Sequence, residues 1–271
     1  CLVDLTTGQV LGGKNVMQPR PVASTTKVMT AILALEYAGL KEVAVVSPKA
    51  ARTESGMGLR PQDKMTIEDL LKAALLESAN DASVVLAEHV AGSEDMFAYL
   101  MNKKAWAIGA YHTHFENASG LPDKEHLSTC YDLAVITRYA LRNQVFEKLV
   151  ATRQAVIKQP GYPGGRKIYN TNKLLGSYEG AFGVKTGTTD AAGKCLIGAA
   201  QRGNRKLVAV VLRSWDRYAD CQRLLDWGFT SFTREKVVDK SNMFKVLRVN
   251  KGTRIEVTVY PDRDVYLWLS Q

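Results

Sequence analysis

Apolar residues recur at helical spacing through the first half of the chain, whereas its two ends show short runs and alternation. Positions 2–11 alternate around Thr7-Gly8 and predict a hairpin of two short strands. After the breaks at Pro19 and Pro21, the apolar residues Val28, Met29, Ile32, Leu33, Leu35 and Leu40 predict a helix over 24–40. Its N-terminus falls at or near Ser24, and Gly39 marks its end. The stretch 50–64, with Gly56, Gly58 and Pro61, reads as loop or short strand. Thr66-Ile67-Glu68-Asp69 resembles a capping box and opens a helix to about Glu77; a second helix covers 81–90. Between them Ser78-Ala79-Asn80 are small or polar residues in an otherwise apolar region, which places them on a tight connection facing inward. Further helices are predicted over 94–108, 128–141 and 218–227.

Late in the chain the runs 181–187, 194–200 and 206–212 read as strands, the last two joined as a hairpin through Arg202-Gly203-Asn204-Arg205. Strands at both ends and helices between them predict an α+β fold whose antiparallel sheet is closed by distant segments, not the strand–helix alternation of a doubly wound sheet. Beyond Phe232 the character changes. Short strands at 237–238, 244–249, 255–260 and 265–269 are separated by Lys-Gly and Pro-Asp turns. The expected organisation is a principal domain over 1–232 and a partial or short β-rich domain over 233–271, the latter too short to be complete.

Composition narrows the function classes. With 46% hydrophobic and 23% charged residues in 271, the chain can bury a core without staples, which excludes a disordered or disulfide-stapled class. The apolar-rich stretch 67–90 carries Glu68, Asp69, Lys72, Glu77, Asn80, Asp81 and Glu88, so it cannot span a bilayer. The net charge of +9 would suit an anionic partner, but no basic run exceeds two residues and no aromatic ladder accompanies them. A solubilising surface and no nucleic-acid partner are expected. No basic and apolar leader precedes the first strand, so the protein is either cytosolic or its leader has been removed. The four cysteines contain no Cys-x-x-Cys pair. Cys195 and Cys221, in apolar segments, are expected as buried free thiols, and Cys1 runs into strand residues without the linker a lipid anchor would need. His112 and His114 lack a third ligand, so surface histidines and no metal are expected.

Three short strings carry the chemistry: Ser24-Thr25-Thr26-Lys27, Ser78-Ala79-Asn80 and Lys185-Thr186-Gly187. Taken alone, Ser24 reads as a helix-capping serine and Lys185 as a solvated strand lysine. Together they make a nucleophile and its base. Lys27 lies one helical turn beyond Ser24 and can reach its hydroxyl. At a helix N-terminus the outward backbone N–H groups favour an alkoxide or oxyanion. Burial and a second cation, Lys185, would lower the Lys27 pKa so that it can act as a base where no histidine does. Ser78 can pass a proton between Lys27 and a leaving nitrogen, and the Asn80 amide can hold a substrate carbonyl or the lysine. Gly187 would let an extended substrate approach a strand edge, with Lys185 and Thr186 offering charge and hydroxyl to a carboxylate. The N–H groups of Ser24 and Thr188 would form an oxyanion hole.

Ser-x-x-Lys, Ser-Asp-Asn and Lys-Thr-Gly in this order are the signature of penicillin-binding proteins and class A β-lactamases, and Ser78-Ala79-Asn80 in place of Ser-Asp-Asn keeps both of its acting side chains. The extended matches 21–30, 76–82, Asn117-Ala118-Ser119-Gly120-Leu121 and 183–189 resemble the low-molecular-mass penicillin-binding proteins, the serine-type D-alanyl-D-alanine carboxypeptidases of peptidase family S11. The resemblance covers about residues 2–232. It implies a penicillin-binding protein/β-lactamase-like fold with a helical subdomain and no cofactor. The implied partner is a peptidoglycan stem peptide ending in D-Ala-D-Ala, with β-lactams as covalent inhibitors. It also implies an extracytoplasmic location and peripheral membrane association through a segment outside this chain. Alignment backwards from Trp227-Gly228-Phe229 makes Arg217 a candidate second anchor for the terminal carboxylate. Two rival readings stand beside it. A class A β-lactamase needs a glutamate that activates water, a part Glu116, 38 residues after Ser78, could play. However, Glu116-Asn117 lacks the Glu-x-x-x-Asn spacing. A β-lactam sensor would be acylated and stay so.

Overall fold

Leu2 lies opposite Ala209, and this pairing between distant segments closes a five-stranded antiparallel sheet. The computed structural model describes residues 1–270. In chain order, the hairpin β1 (Leu2–Asp4) and β2 (Val10–Gly12) leads to a 3₁₀ turn, Ala23–Thr26, and then to α1 (Lys27–Tyr37). A helical subdomain follows: β3 (Val43–Val45), α2 (Pro48–Ala51), β4 (Lys64–Thr66), α3 (Ile67–Lys72) with a π turn over Ala73–Glu77, α4 (Asn80–Ala91), α5 (Glu94–Ala107), α6 (Cys130–Ala140) and α7 (Gln144–Ala151). The hairpin β5 (Gln154–Ile157) and β6 (Arg166–Tyr169) and the short α8 (Leu174–Ser177) lead back to the sheet. There β7 (Ala181–Thr189), β8 (Gly193–Arg202) and β9 (Arg205–Ser214) complete the order β2-β1-β9-β8-β7. β7 is therefore an edge strand, with one row of backbone groups open to a partner. Helix α9 (Arg217–Thr230) follows.

The chain divides into two units, Cys1–Asp226 and Trp227–Gln271. In the second, β10 (Phe232–Val238) pairs with β13 (Val265–Ser270), and β11 (Lys245–Arg248) with β12 (Glu256–Val259), both antiparallel. Trp227 meets Phe232 edge to face at 5.0 Å. Among the described residues no helix is long and apolar enough to cross a membrane.

Helix α1 positions the chemistry. All its residues from Lys27 to Ala34 are buried, and it packs against α4, α5 and α6. Each fully buried Ile, Leu or Met side chain there contributes about 1.5–3 kcal/mol, which fixes the axis on which Lys27 is mounted. The capping residues act as the sequence predicts: Thr66 Oγ1 accepts from the Asp69 N–H at 3.1 Å. Three expectations are corrected. The α-helix starts at Lys27, not Ser24, because the first turn is wound as a 3₁₀ turn. The segment 50–64 begins inside a short helix, α2, capped by Ser47. Finally, α7 and the β5–β6 hairpin fill 144–169, where no element is predicted, because strands this short, with exposed Gln154, Lys167 and Tyr169, carry too weak an alternation.

Candidate active site

The 3₁₀ turn brings Ser24 above the first residue of α1. Ala23 sits at φ 48°, a left-handed conformation that costs an alanine about 1 kcal/mol and is held by the packing around it. Ser24 is thus not a capping serine: its hydroxyl lies 2.9 Å from Lys27 Nζ and is half-buried. Lys27 itself is fully buried. Its Nζ also donates to Asn80 Oδ1 at 2.6 Å and to the Ser119 carbonyl at 2.6 Å. Burial, first, and the nearby Lys185 cation, second, push its pKa well below the ordinary lysine value, against an opposing pull from Asp81.

The Asn80 contact depends on a break in the helix. The π turn widens the end of α3, and Ser78, at φ 67°, reverses the chain in the left-handed region, so that α4 starts at Asn80. The Asn80 amide spans two segments, since Nδ2 donates to the Glu54 carbonyl at 2.8 Å. Of the two uses predicted for this amide, the structure displays the hold on the lysine. Ser78 faces the same cavity but is not among the partners of Lys27. Asp81, buried beside Asn80, gathers the N–H groups of Met57, Gly58 and Leu59 at 2.9–3.1 Å. That carboxylate folds the 55–59 segment onto the site. A Cβ at Gly56 would lie 2.4 Å from it.

The third segment around Lys27 is 117–121. Asn117 Oδ1 accepts from the N–H groups of Ser119 and Gly120, at 3.2 and 2.7 Å, and turns the Ser119 carbonyl towards Lys27. Gly120 has φ 84°, and a Cβ there would lie 2.0 Å from the Ala23 carbonyl oxygen, so only glycine lets this loop rest on the Ser24 turn. Below it His126 is buried. Its Nδ1 accepts from the Glu116 N–H at 3.1 Å, which leaves the proton on Nε2 to donate to Thr26 Oγ1 at 2.8 Å. Burial pushes the His126 pKa down to about 4, so the ring is neutral and fixed in that tautomer.

Strand β7 forms the opposite wall. Thr186 is buried, with its hydroxyl 2.8 Å from that of Thr171. At Gly187 the structure shows a reason for a glycine besides the expected approach of a substrate. A Cβ would lie 3.0 Å from the Ser24 backbone nitrogen and 3.1 Å from the Val22 carbonyl, so the protein's own Ser24 turn makes a close approach there. Lys185, expected to offer charge to a substrate carboxylate, lies behind the cavity surface. It is buried, its Nζ donates to the Thr186 carbonyl at 3.1 Å, and burial followed by the Arg217 charge pushes its pKa down to about 7. The cation that does line the cavity is Arg217, at the start of α9. Its Nη1 donates to the Gly187 carbonyl at 2.9 Å and to Thr188 Oγ1 at 2.8 Å.

These walls enclose a cavity of about 320 Å³ lined by Ser24, Ser78, Asn80, Thr186, Gly187, Thr188 and Arg217, together with Ser55, Glu77 and Thr171. Of the sequence-predicted residues, only Lys27 and Lys185 lie behind this surface. A larger cavity of about 490 Å³, beside Tyr131 and Arg138, contains no nucleophile with a base. Glu116 is not part of the site: it is exposed and paired with His114 at 2.7 Å. Among the described residues no group of three or more His, Cys, Asp and Glu side chains is placed to hold a metal ion, and all four cysteines are free. The Ser119 carbonyl, Asp81 and His126 are the functional groups that sequence reasoning missed. The string Asn117-Ala118-Ser119-Gly120-Leu121 carried a resemblance but no sign that it would supply a backbone oxygen.

Comparison with known proteins agrees with this geometry. The model of the D-alanyl-D-alanine carboxypeptidase family, Peptidase S11, matches residues 1–215. D-alanyl-D-alanine carboxypeptidase DacF of Bacillus subtilis is 33% identical over 271 aligned residues, covering 95% of this chain and 69% of the relative. DacB2 of Mycobacterium tuberculosis is 39% identical over 240, covering 84% and 80%. Among solved structures, the D-alanyl-D-alanine carboxypeptidase DacD of Francisella tularensis superposes with a TM-score of 0.86 at 25% identity, covering 100% of this chain and 80% of that one. The Streptomyces K15 DD-transpeptidase does so with 0.78 at 31% identity, covering 84% and 95%.

Proposed function

Since the chain belongs to the D-alanyl-D-alanine carboxypeptidase family, Peptidase S11, we propose that it performs that family's acyl transfer with Ser24 as nucleophile and Lys27 as base. One observation carries the assignment. Lys27 Nζ has three neighbours, and two of them, Asn80 Oδ1 and the Ser119 carbonyl, can only accept. A neutral amine has two hydrogens. Both are committed to those oxygens, so its lone pair is left for the Ser24 O–H.

The steps follow. Ser24 Oγ attacks the carbonyl carbon between the two terminal D-alanines while its proton passes to Lys27. The negative oxygen is met by the N–H groups of Ser24 and Thr188, oriented before the reaction begins. Ser78 passes the proton from Lys27 to the leaving nitrogen, the C–N bond breaks and D-alanine departs. Water then attacks the ester, giving a proton to Lys27, and Ser24 Oγ leaves as the hydroxyl. The terminal carboxylate is taken by Arg217, whose guanidinium geometry suits it, with Thr186 and Thr188 beside it. Asn80 serves this reaction by holding the lysine, Gly187 by allowing β7 to meet the Ser24 turn, and Lys185 by its field. Its substrate, the stem peptide of the wall polymer, places the enzyme outside the cytoplasm, and β-lactams acylate the same serine.

Labelling with a fluorescent penicillin, followed by peptide mapping, tests the assignment. The label is expected on Ser24, and Ser24→Ala is expected to abolish both labelling and D-alanine release, a loss of about 10⁴-fold or more. Persistence of either at the wild-type rate would remove Ser24 from the mechanism. The β-lactamase reading loses its water-activating glutamate with Glu116 on the surface, and rapid turnover of the penicilloyl-enzyme would restore it. Labelling without D-alanine release would point to a sensor.

A further inference from the structure

The peptide group between Ala23 and Ser24 has two polar ends. Its N–H, on Ser24, is one of the two donors assigned above to the negative oxygen. Its C=O, on Ala23, points the opposite way, because the bond is trans. Whatever holds the carbonyl therefore aims the N–H. The holder is Thr26, whose Oγ1 donates to the Ala23 carbonyl at 2.9 Å. A hydroxyl has one hydrogen, and His126 keeps it from turning elsewhere, because its Nε2–H donates to the same Oγ1 at 2.8 Å. That bond cannot reverse, since Nδ1 is taken by the Glu116 N–H at 3.1 Å. The ring is also packed edge to face on Phe115, with centroids 5.5 Å apart. One chain of donors thus runs from the Glu116 N–H through His126 and Thr26 to the Ala23 carbonyl, every hydrogen pointing the same way.

The surroundings of this chain exclude competitors. Ala23, Thr26 and His126 are all buried. A Cβ on Gly120 would lie 2.0 Å from the Ala23 carbonyl oxygen and 2.9 Å from Thr26 Oγ1, so the 117–121 loop closes over both. At the other end the Ser24 nitrogen faces β7, where a Cβ on Gly187 would lie 3.0 Å from it, and Thr188, the second donor, is the next residue. Hydrogen bonds in series polarise one another, and a carbonyl that accepts a strong bond leaves the N–H of its own peptide a better donor. We propose that His126 is a positioning residue for the oxyanion hole: through Thr26 it fixes and polarises the Ala23–Ser24 peptide, so that the Ser24 N–H is aimed at the negative oxygen before the reaction begins. His126 itself touches no substrate. The inference rests on the assignment of Ser24 and its oxyanion hole given above. Ala23, held at φ 48°, gives this peptide strain to release by turning once the chain of bonds is cut.

The test cuts the chain at each link in the full-length protein. Thr26→Val keeps the shape of the side chain and removes the hydroxyl. It is expected to lower kcat for D-alanine release, and the rate of acylation by penicillin, about tenfold with KM little changed, the scale of one buried hydrogen bond. His126→Leu is expected to lose a similar factor, and His126→Gln, which returns an amide N–H near the place of Nε2, to restore most of it. The double variant Thr26→Val/His126→Leu is expected to be no slower than the slower single variant, because both cut one chain. Losses that multiply would show that His126 acts only by packing and would overturn the proposal. A spectroscopic reading needs no change at His126. The infrared band of the penicilloyl ester carbonyl, whose oxygen occupies the oxyanion hole, is expected at higher wavenumber in Thr26→Val than in the wild type, and an unmoved band overturns the proposal too. Failure of penicillin to label Ser24 in the wild type would instead overturn the assignment of the nucleophile, so the two failures are distinguishable.

Discussion

Lys27 and Lys185 are both buried, on facing walls of one site, and both have their pKa pushed down by burial first. Their partners differ. Lys27 touches the nucleophile and two fixed acceptors drawn from two other segments, whereas Lys185 touches one backbone carbonyl, that of Thr186. Their charges also form a series. The Arg217 cation is the second cause that lowers Lys185, and Lys185 is the second cause that lowers Lys27. An arginine does not give up its proton, so positive charge is fixed at the cavity surface and discouraged progressively inward, where the base must be neutral. Burial alone assigns no chemistry to a lysine. The set of groups it touches does.

The comparison breaks first at Lys27. Lys27→Met keeps an unbranched chain in the buried channel and removes the amine, so the rate of acylation by penicillin and the kcat for D-alanine release are expected to fall by about 10²–10⁴-fold. Substrate KM should move little, because the loss falls on the transition state. If KM rises and kcat holds, the helical wall binds instead of reacting and the two walls exchange roles. The next effect is at Arg217. Arg217→Ala is expected to lower kcat/KM for a D-Ala-D-Ala peptide by about 10–10²-fold, the scale of charge-assisted hydrogen bonds. The control is the same peptide with a C-terminal carboxamide, whose kcat/KM should be much less affected. Equal losses with both peptides would show that Arg217 acts only by bracing Gly187 and Thr188.

How much of this could be read from the chain depends on whether a group acts through its side chain or through its backbone. Ser24, Lys27, Ser78 and Asn80 announce themselves because hydroxyl, amine and amide at those spacings have few other uses together. The helices that carry them follow from apolar periodicity and from caps such as Thr66. The Ser119 carbonyl was not legible, since every residue has one and only the turn made by Asn117 aims it. Asp81 reads as a residue in the first turn of a helix, yet its carboxylate collects three N–H groups from a loop more distant in sequence. Gly187 was legible as a close approach by a substrate, but not by the Ser24 turn. That needed the distance to the Ser24 nitrogen. The depth of Lys185 could not be read either, because β7 alternates with too few apolar residues to show which face is covered.

The smallest effect is the most direct probe of the series of charges. Lys185 has its folded-state pKa pushed down to about 7, below the ordinary lysine value of about 10.4. Between those values the unfolded chain binds the proton and the folded protein does not, so the burden on stability is full below the folded pKa and is relieved as pH rises towards that of the unfolded chain. Lys185→Met removes that burden and fills the same channel with apolar atoms. The melting temperature is expected to rise by about 2 °C or more at pH 7, and the gain to shrink as the pH is raised towards 10. The same variant deprives Lys27 of its like-charged neighbour, so the acid limb of kcat/KM should move to higher pH as the Lys27 pKa rises. A gain in stability with an unmoved limb would show that the two amines do not sense each other, and that burial alone keeps Lys27 neutral.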